Sequence, residues 1–87
     1  MSRISKIAVL GSGAFGTALA HAASFNPYNK IMIYSREEDV AKSINEKKRN
    51  PKIFSEFELN GNITASSNFQ DVVKDANIVL SCIPTQQ

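Results

Sequence analysis

Three glycines, Gly11, Gly13 and Gly16, punctuate VLGSGAFGTALAHAA, a stretch over residues 9–23 with no Asp, Glu, Lys or Arg. They constrain the fold more than any other feature, because the residues on their two sides follow different periods. Before them, ISKIAVL at residues 4–10 is rich in β-branched residues and ends in a continuous apolar run, which predicts a strand. After them, Phe15, Ala18, Leu19 and Ala22 fall at i, i+3, i+4 and i+7, the spacing of one helix face. The glycines thus lie at a strand-to-helix turn with the spacing G-x-G-x-x-G. Each then has a separate task. Gly11 permits the tight turn out of the strand. Gly13 leaves room where a Cβ would clash with a pyrophosphate. Gly16 lets the helix pack closely on the sheet. The free N–H groups and partial positive charge at the helix N-terminus face the same point.

Two other readings of this stretch compete with a phosphate-holding loop. MSRISK followed by an apolar run and AHA at residues 20–22 resembles a secretory leader with a small-residue cleavage site. The glycines break that run where a leader needs helical apolar residues. A membrane span needs about 18 or more uninterrupted apolar residues. Neither fits, and the expectation is a chain with no membrane span. A glycine turn with no ligand is the remaining alternative, and the rest of the chain bears on it.

The alternation continues. A helix from Ala14 should stop near Asn26, since Pro27 disfavours helical geometry in the residue before it. KIMIY at residues 30–34 reads as a second strand. Ser35 and Glu38 have capping-box spacing, and Glu37, Glu38 and Asp39 load the positive end of a helix carrying Val40, Ala41 and Ile44. RNPKIFSEFELNGN is a loop. ITAS at residues 63–66 is a short third strand. Ser67 and Gln70 form a second capping box, opening a helix with Phe69, Val72, Val73 and Ala76 on one face. NIVLSCI at residues 77–83 is a fourth strand, apolar enough to be covered on both faces, and Pro84 ends it. The order β-α-β-α-β-α-β predicts an α/β fold, a partial Rossmann-type doubly wound parallel sheet with strand order 3-2-1-4.

In that topology the crevice over the carboxyl ends of strands one and four holds the ligand, here a dinucleotide. An Asp or Glu at the end of strand two would accept hydrogen bonds from the adenosine ribose. Ser35 holds that place, with Arg36 after it. A hydroxyl and a guanidinium suit a 2′-phosphate, which favours NADP over NAD, although Glu37 and Glu38 temper the preference. Pro84 is expected to shape a wall beside the cofactor or merely to stop its strand. Cys82, the only cysteine, has no basic neighbour and reads as a strand thiol rather than a nucleophile. A single cysteine also allows no internal disulfide, so a reducing compartment is the default. His21, the only histidine, reads as structural. No metal-ligand cluster is present in the sequence. A net charge of +2 on 87 residues argues against a nucleic-acid partner and bounds the chain to one small domain. KKR at residues 47–49 reads as a solvated helix end.

GSGAFGTALA, with IYSRE, Ile44-Asn45, Asn50, NITASS and DANIVLSCIPTQ, resembles bacterial-type NAD(P)-dependent glycerol-3-phosphate dehydrogenases over essentially the whole chain. Phe15 before the last glycine and Pro84-Thr85-Gln86 carry much of the resemblance. It implies that residues 1–87 are the N-terminal part of a dinucleotide-binding domain, with the rest of that domain and a helical substrate domain outside this sequence. It further implies a cytoplasmic enzyme that reduces dihydroxyacetone phosphate to sn-glycerol 3-phosphate, a phospholipid precursor. Cofactor contacts carry over onto Ser12, Gly13, Ala14, Phe15, Gly16 and Arg36. The family's catalytic lysines fall beyond Gln87, so no residue here takes a catalytic role. Where the family has a Tyr-Leu-Pro-like turn, this chain has IFSEFEL. A different two-domain dehydrogenase and a non-catalytic dinucleotide-sensing module are the alternatives, since fold alone does not separate them. The fourth strand should present an open outer edge, and the sheet face served by Phe69 and Val73 only one covering helix. A homo-oligomer or another partner would cover them.

Overall fold

The structure, a computed structural model, describes residues 5–53 and 55–82. Seven elements follow one another: β1 (Ser5–Leu10), α1 (Ala14–Ala23), β2 (Asn29–Tyr34), α2 (Glu38–Lys47), β3 (Ile63–Ser66), α3 (Phe69–Val73) and β4 (Ile78–Ser81). All three strand pairs are parallel, and the sheet runs β3-β2-β1-β4. The α/β alternation and the 3-2-1-4 order expected from the sequence are both present. Among the described residues no helix is long and apolar enough to cross a membrane.

Register explains the core. Ile7 lies opposite Ile31 and Ile78, and Ile31 opposite Ile63; Val9 lies opposite Ile33 and Leu80, and Ile33 opposite Ala65. Alternate residues of a strand share a face, so this lattice of branched side chains forms one surface of the sheet. Of this surface, Ile7, Val9, Ile31, Ile33, Ile63 and Ala65 are buried together with Ala20 of α1, Val40, Ala41 and Ile44 of α2, and Leu59 from the loop before β3, and Leu80 packs partly buried against them. Each large aliphatic side chain fully buried there contributes about 1.5–3 kcal/mol. The opposite face holds Ala8 and Val72, both fully buried, but α3 has only five residues to cover it.

Several local expectations are corrected. The core face of α1 is Gly16, Thr17 and Ala20, whereas Phe15, Ala18 and Ala22 point to solvent. An almost uniformly apolar helix hides its own phase, and here Gly16 faces inward where a Cβ would lie 2.2 Å from the Gly11 carbonyl oxygen. The helix also ends at Ala23, with Ser24 as its cap, before Pro27 can act. Ser35 is not the cap of α2. Its backbone N–H continues the sheet by donating to the Ser66 carbonyl at 3.0 Å, and Glu37 takes the cap position without a side-chain bond. At α3 the cap is Asn68, whose side chain accepts from the Asp71 N–H at 3.2 Å, in place of the Ser67–Gln70 box. That helix stops before Ala76, and Phe69 is half exposed, set edge-on to Tyr34.

β4 departs most from expectation. It spans four residues, and Ile78 and Val79, on opposite faces, are 47% and 49% exposed. A strand read as covered on both faces is half bare on both. Among the described residues it pairs with β1 alone, as an open outer edge requires. β3, the other edge, is treated differently. The Asn45 amide donates to the Ala65 carbonyl at 2.8 Å and accepts from its N–H at 2.7 Å, so a side chain from α2 stands in for a missing strand. Residue 4, expected in the first strand, and residue 83, expected in the fourth, lie outside the described residues.

Candidate functional site

Strands β1, β2 and β4 all point their carboxyl ends at one cleft of about 490 Å³, lined by Gly11, Ser12, Gly13, Tyr34, Ser35, Arg36, Glu37 and Cys82. This is where an open parallel sheet binds its ligand. The three glycines have different reasons to be there. Gly11 has φ +133°, outside the range of L-residues, and a Cβ on it would lie 3.1 Å from the Cys82 carbonyl oxygen. A Cβ on Gly16 would lie 2.2 Å from the Gly11 carbonyl oxygen, so helix-to-turn packing excludes any side chain. Around Gly13 a Cβ would meet no protein atom within 4 Å. Protein packing therefore places no demand on Gly13, which lines the cleft.

The N-terminus of α1 opens beside Gly13. Gly13 provides no side-chain cap, and the first turn carries no acidic residue. The N–H of Thr17 already bonds to the Gly13 carbonyl at 2.9 Å, which leaves the N–H groups ahead of it without helical partners. The first turns of α2 and α3, in contrast, hold Glu38 and Asp39, and Asp71. A phosphate would satisfy the donors and the dipole of α1 together.

Behind this rim the loops are tied to one another. The Ser12 hydroxyl donates to Ser35 Oγ at 3.2 Å; Ser35 Oγ in turn donates to the Glu37 carbonyl and accepts from the Glu37 N–H, both at 3.2 Å. Ser35 is 1% exposed. Its hydroxyl is therefore a brace between the glycine loop and the β2–α2 turn, and Arg36 is exposed on the same rim. Asn50, also 1% exposed, is the residue sequence reasoning missed as a device. Its Nδ2 donates to the Ser12 carbonyl at 2.8 Å and to Thr17 Oγ1 at 3.1 Å, while its Oδ1 accepts from the N–H groups of Lys52 and Ile53 at 3.0 and 3.2 Å. The Asn-Pro pair at residues 50–51 signals a turn, but nothing in the sequence says that the turn holds the glycine loop.

Of the residues expected to contact a cofactor, Gly11, Ser12, Gly13, Ser35 and Arg36 are brought together around the cleft. Ala14 and Phe15 stand on the exposed first turn of α1, outside the lining, and Gly16 is buried behind it. Pro84 lies outside the described residues. Tyr34, Glu37 and Cys82 are additional lining residues. Burial pushes the Cys82 thiol up from its ordinary range, which keeps it protonated at neutral pH and unsuited to nucleophilic work. Glu37 forms an ion pair with Lys52 at the outer edge of the cleft. His21 lies away from it, packed edge-on against Phe25 and Phe57 at ring separations of 4.8 and 4.4 Å. Among the described residues no three His, Cys, Asp or Glu side chains converge as metal ligands would.

Residues 6–87 match the family described as NAD-dependent glycerol-3-phosphate dehydrogenase N-terminus. Curated relatives include a glycerol-3-phosphate dehydrogenase [NAD(P)+] of Limosilactobacillus reuteri, 37% identical over 93% of this chain and 24% of the relative. Another, of Leuconostoc mesenteroides, is 40% identical over 95% of this chain and 24% of its own length. The chain thus spans about a quarter of the length of the curated relatives it matches. Among solved structures, a Coxiella burnetii glycerol-3-phosphate dehydrogenase superposes with a TM-score of 0.80 at 22% identity, over 90% of this chain and 24% of that one, which speaks to the fold. A Plasmodium falciparum glycerol-3-phosphate dehydrogenase gives 0.77 at 26% identity, over 95% and 25%.

Proposed function

The chain belongs to the NAD-dependent glycerol-3-phosphate dehydrogenase family, whose cofactor is NAD or NADP, and we propose that its residues form the N-terminal part of the dinucleotide-binding domain of such an enzyme. The reaction is reduction of dihydroxyacetone phosphate to sn-glycerol 3-phosphate, in the cytoplasm, with NADPH preferred to NADH. The observation that carries the binding role is Gly13. Packing leaves no room for a side chain at its neighbours Gly11 and Gly16, whereas an added Cβ at Gly13, which lines the cleft, would meet no protein atom within 4 Å. A pyrophosphate over that position would meet the free N–H groups of α1.

The cofactor supplies the hydride; this chain's residues bind and orient it. The glycine loop and the α1 N-terminus hold the diphosphate. Arg36 offers a planar, permanently charged group at the adenosine end, suited to a 2′-phosphate and to stacking on adenine. Ser35 and Asn50 keep the two loops in register. On the family resemblance, catalysis is assigned to residues that follow this segment in the longer relatives. The intact protein should oxidise NADPH when given dihydroxyacetone phosphate, and residues 1–87 alone should not. Arg36→Ala should weaken NADPH by about 1.5–3 kcal/mol, the usual size of a charge-assisted hydrogen bond, and NADH by much less. Titration of both cofactors decides it: equal losses remove Arg36 from 2′-phosphate recognition, and turnover by the 1–87 segment removes the assignment of catalysis elsewhere.

A further inference from the structure

We propose that Lys52 is a cofactor-selecting residue that acts by neutralising Glu37, the only acidic side chain among the described residues lining the cleft. The inference rests on the reading of this cleft as the dinucleotide site. An acidic residue at the adenosine end of such a site accepts hydrogen bonds from ribose hydroxyls and repels a 2′-phosphate. In this chain the position at the end of β2 is Ser35, and the carboxylate is displaced two residues onward to Glu37, still on the cleft rim beside Arg36. Unpaired, it would cancel Arg36.

Lys52 prevents that. Its ammonium sits on Glu37 Oε2, and the hydrogen bond and charge of Glu37, with a smaller contribution from Asp39, hold Lys52 above the ordinary lysine range. The pair is half exposed, so it adds little to stability. The backbone that carries it is nonetheless anchored. The backbone N–H of Lys52 is bonded to Asn50 Oδ1, and the Asn50 amide is bonded to the Ser12 carbonyl of the glycine loop. The lysine is thereby carried on the same buried brace that shapes the phosphate-binding turn. Arg36, Glu37 and Lys52 together carry one net positive charge against the roughly two negative charges of a phosphate monoester.

Charge counting gives a test that separates this role from direct contact. Lys52→Gln leaves the rim neutral; Glu37→Gln makes it doubly positive; the double variant restores a single positive charge, on Arg36. Binding of NADPH and NADH to the intact protein is followed by nicotinamide fluorescence, without substrate. Lys52→Gln should weaken NADPH on the order of tenfold, as expected for removing one charge at this range in a partly solvated site, and leave NADH within about twofold. Glu37→Gln should tighten NADPH, and the double variant should return it to within about threefold of the parent. Raising the salt concentration should shrink the differences. Equal weakening of both cofactors by Lys52→Gln, or a double variant as weak for NADPH as Lys52→Gln, overturns the inference. Gly13→Val serves as the control on the cleft. Loss of both cofactors there with no selective effect at Lys52 refutes the Lys52 role alone; retention of both refutes the cleft reading and the Lys52 role with it.

Discussion

A methyl group at Gly16 would lie 2.2 Å from the Gly11 carbonyl oxygen, while one at Gly13 would meet nothing. The backbone at Gly13 has φ −74° and ψ −169°, which any residue adopts. The two positions should therefore respond oppositely to alanine. Gly16→Ala should lower stability by about 1–3 kcal/mol, because backbone must move to admit the methyl. Gly13→Ala should stay within about 1 kcal/mol of the parent, since a slightly poorer helix cap offsets the entropy removed from the unfolded chain. Yet it should still weaken dinucleotide binding. Thermal melts and cofactor titrations on the same two variants check this. A stable Gly16→Ala, or unaltered affinity in Gly13→Ala, would contradict the assignment of one glycine to packing and the other to the ligand.

Among elements, the junctions matter more than the helices and strands they join. The loop that follows α2 is anchored at Asn50, which contacts the glycine loop, α1 and its own turn in one buried amide. Lys48, the left-handed residue ending α2, extends its ammonium to the Ile63 carbonyl at 2.6 Å and ties the same loop to the start of β3. Asn50→Ala would leave the Ser12 carbonyl short of a donor and two turn N–H groups without their acceptor, at a cost of about 1–3 kcal/mol. The effect should be local first. Amide exchange should accelerate at Lys52 and Ile53 well before the β1 and β2 amides are affected, and exchange that rises uniformly would argue against a tether.

On the scale of the whole molecule, the two faces of the sheet are unequally served. One is covered by two ten-residue helices, the other by the five residues of α3. Ile78 and Val79 stand half exposed on a strand with a single neighbour among the described residues. A large apolar side chain left in water forfeits about 1.5–3 kcal/mol, and a domain this small has a total stability of about 5 kcal/mol. Residues 1–87 expressed alone are thus expected to melt with low cooperativity and to associate as concentration rises, through an unprotected β-branched edge. Light scattering across a concentration series, with Val79→Lys as the variant that should suppress association, is the measurement. A well-behaved monomer with a sharp melt would show that four strands and three helices suffice.

The sequence by itself determined the alternation of strands and helices, the parallel order 3-2-1-4 and the place of the glycine turn. The alternation and the turn follow from local signals, namely β-branched runs, helical spacing, and glycines and prolines at the joints; the strand order follows from the topology that the glycine fingerprint implies. It also determined that Ser35, followed by Arg36, stands where an Asp or Glu would accept hydrogen bonds from a ribose. Only the tertiary structure decided which face of α1 is buried, because a helix of small apolar residues carries no phase of its own. It alone turned Ser35 from a helix cap into a buried brace, since the partner of its hydroxyl, Ser12, is 23 residues away. The roles of Asn50 and Lys52 were hidden for the same reason. Each is defined by groups distant in sequence, the Ser12 carbonyl and the Glu37 carboxylate, and no local pattern encodes a contact made when separate loops meet over the ends of the strands.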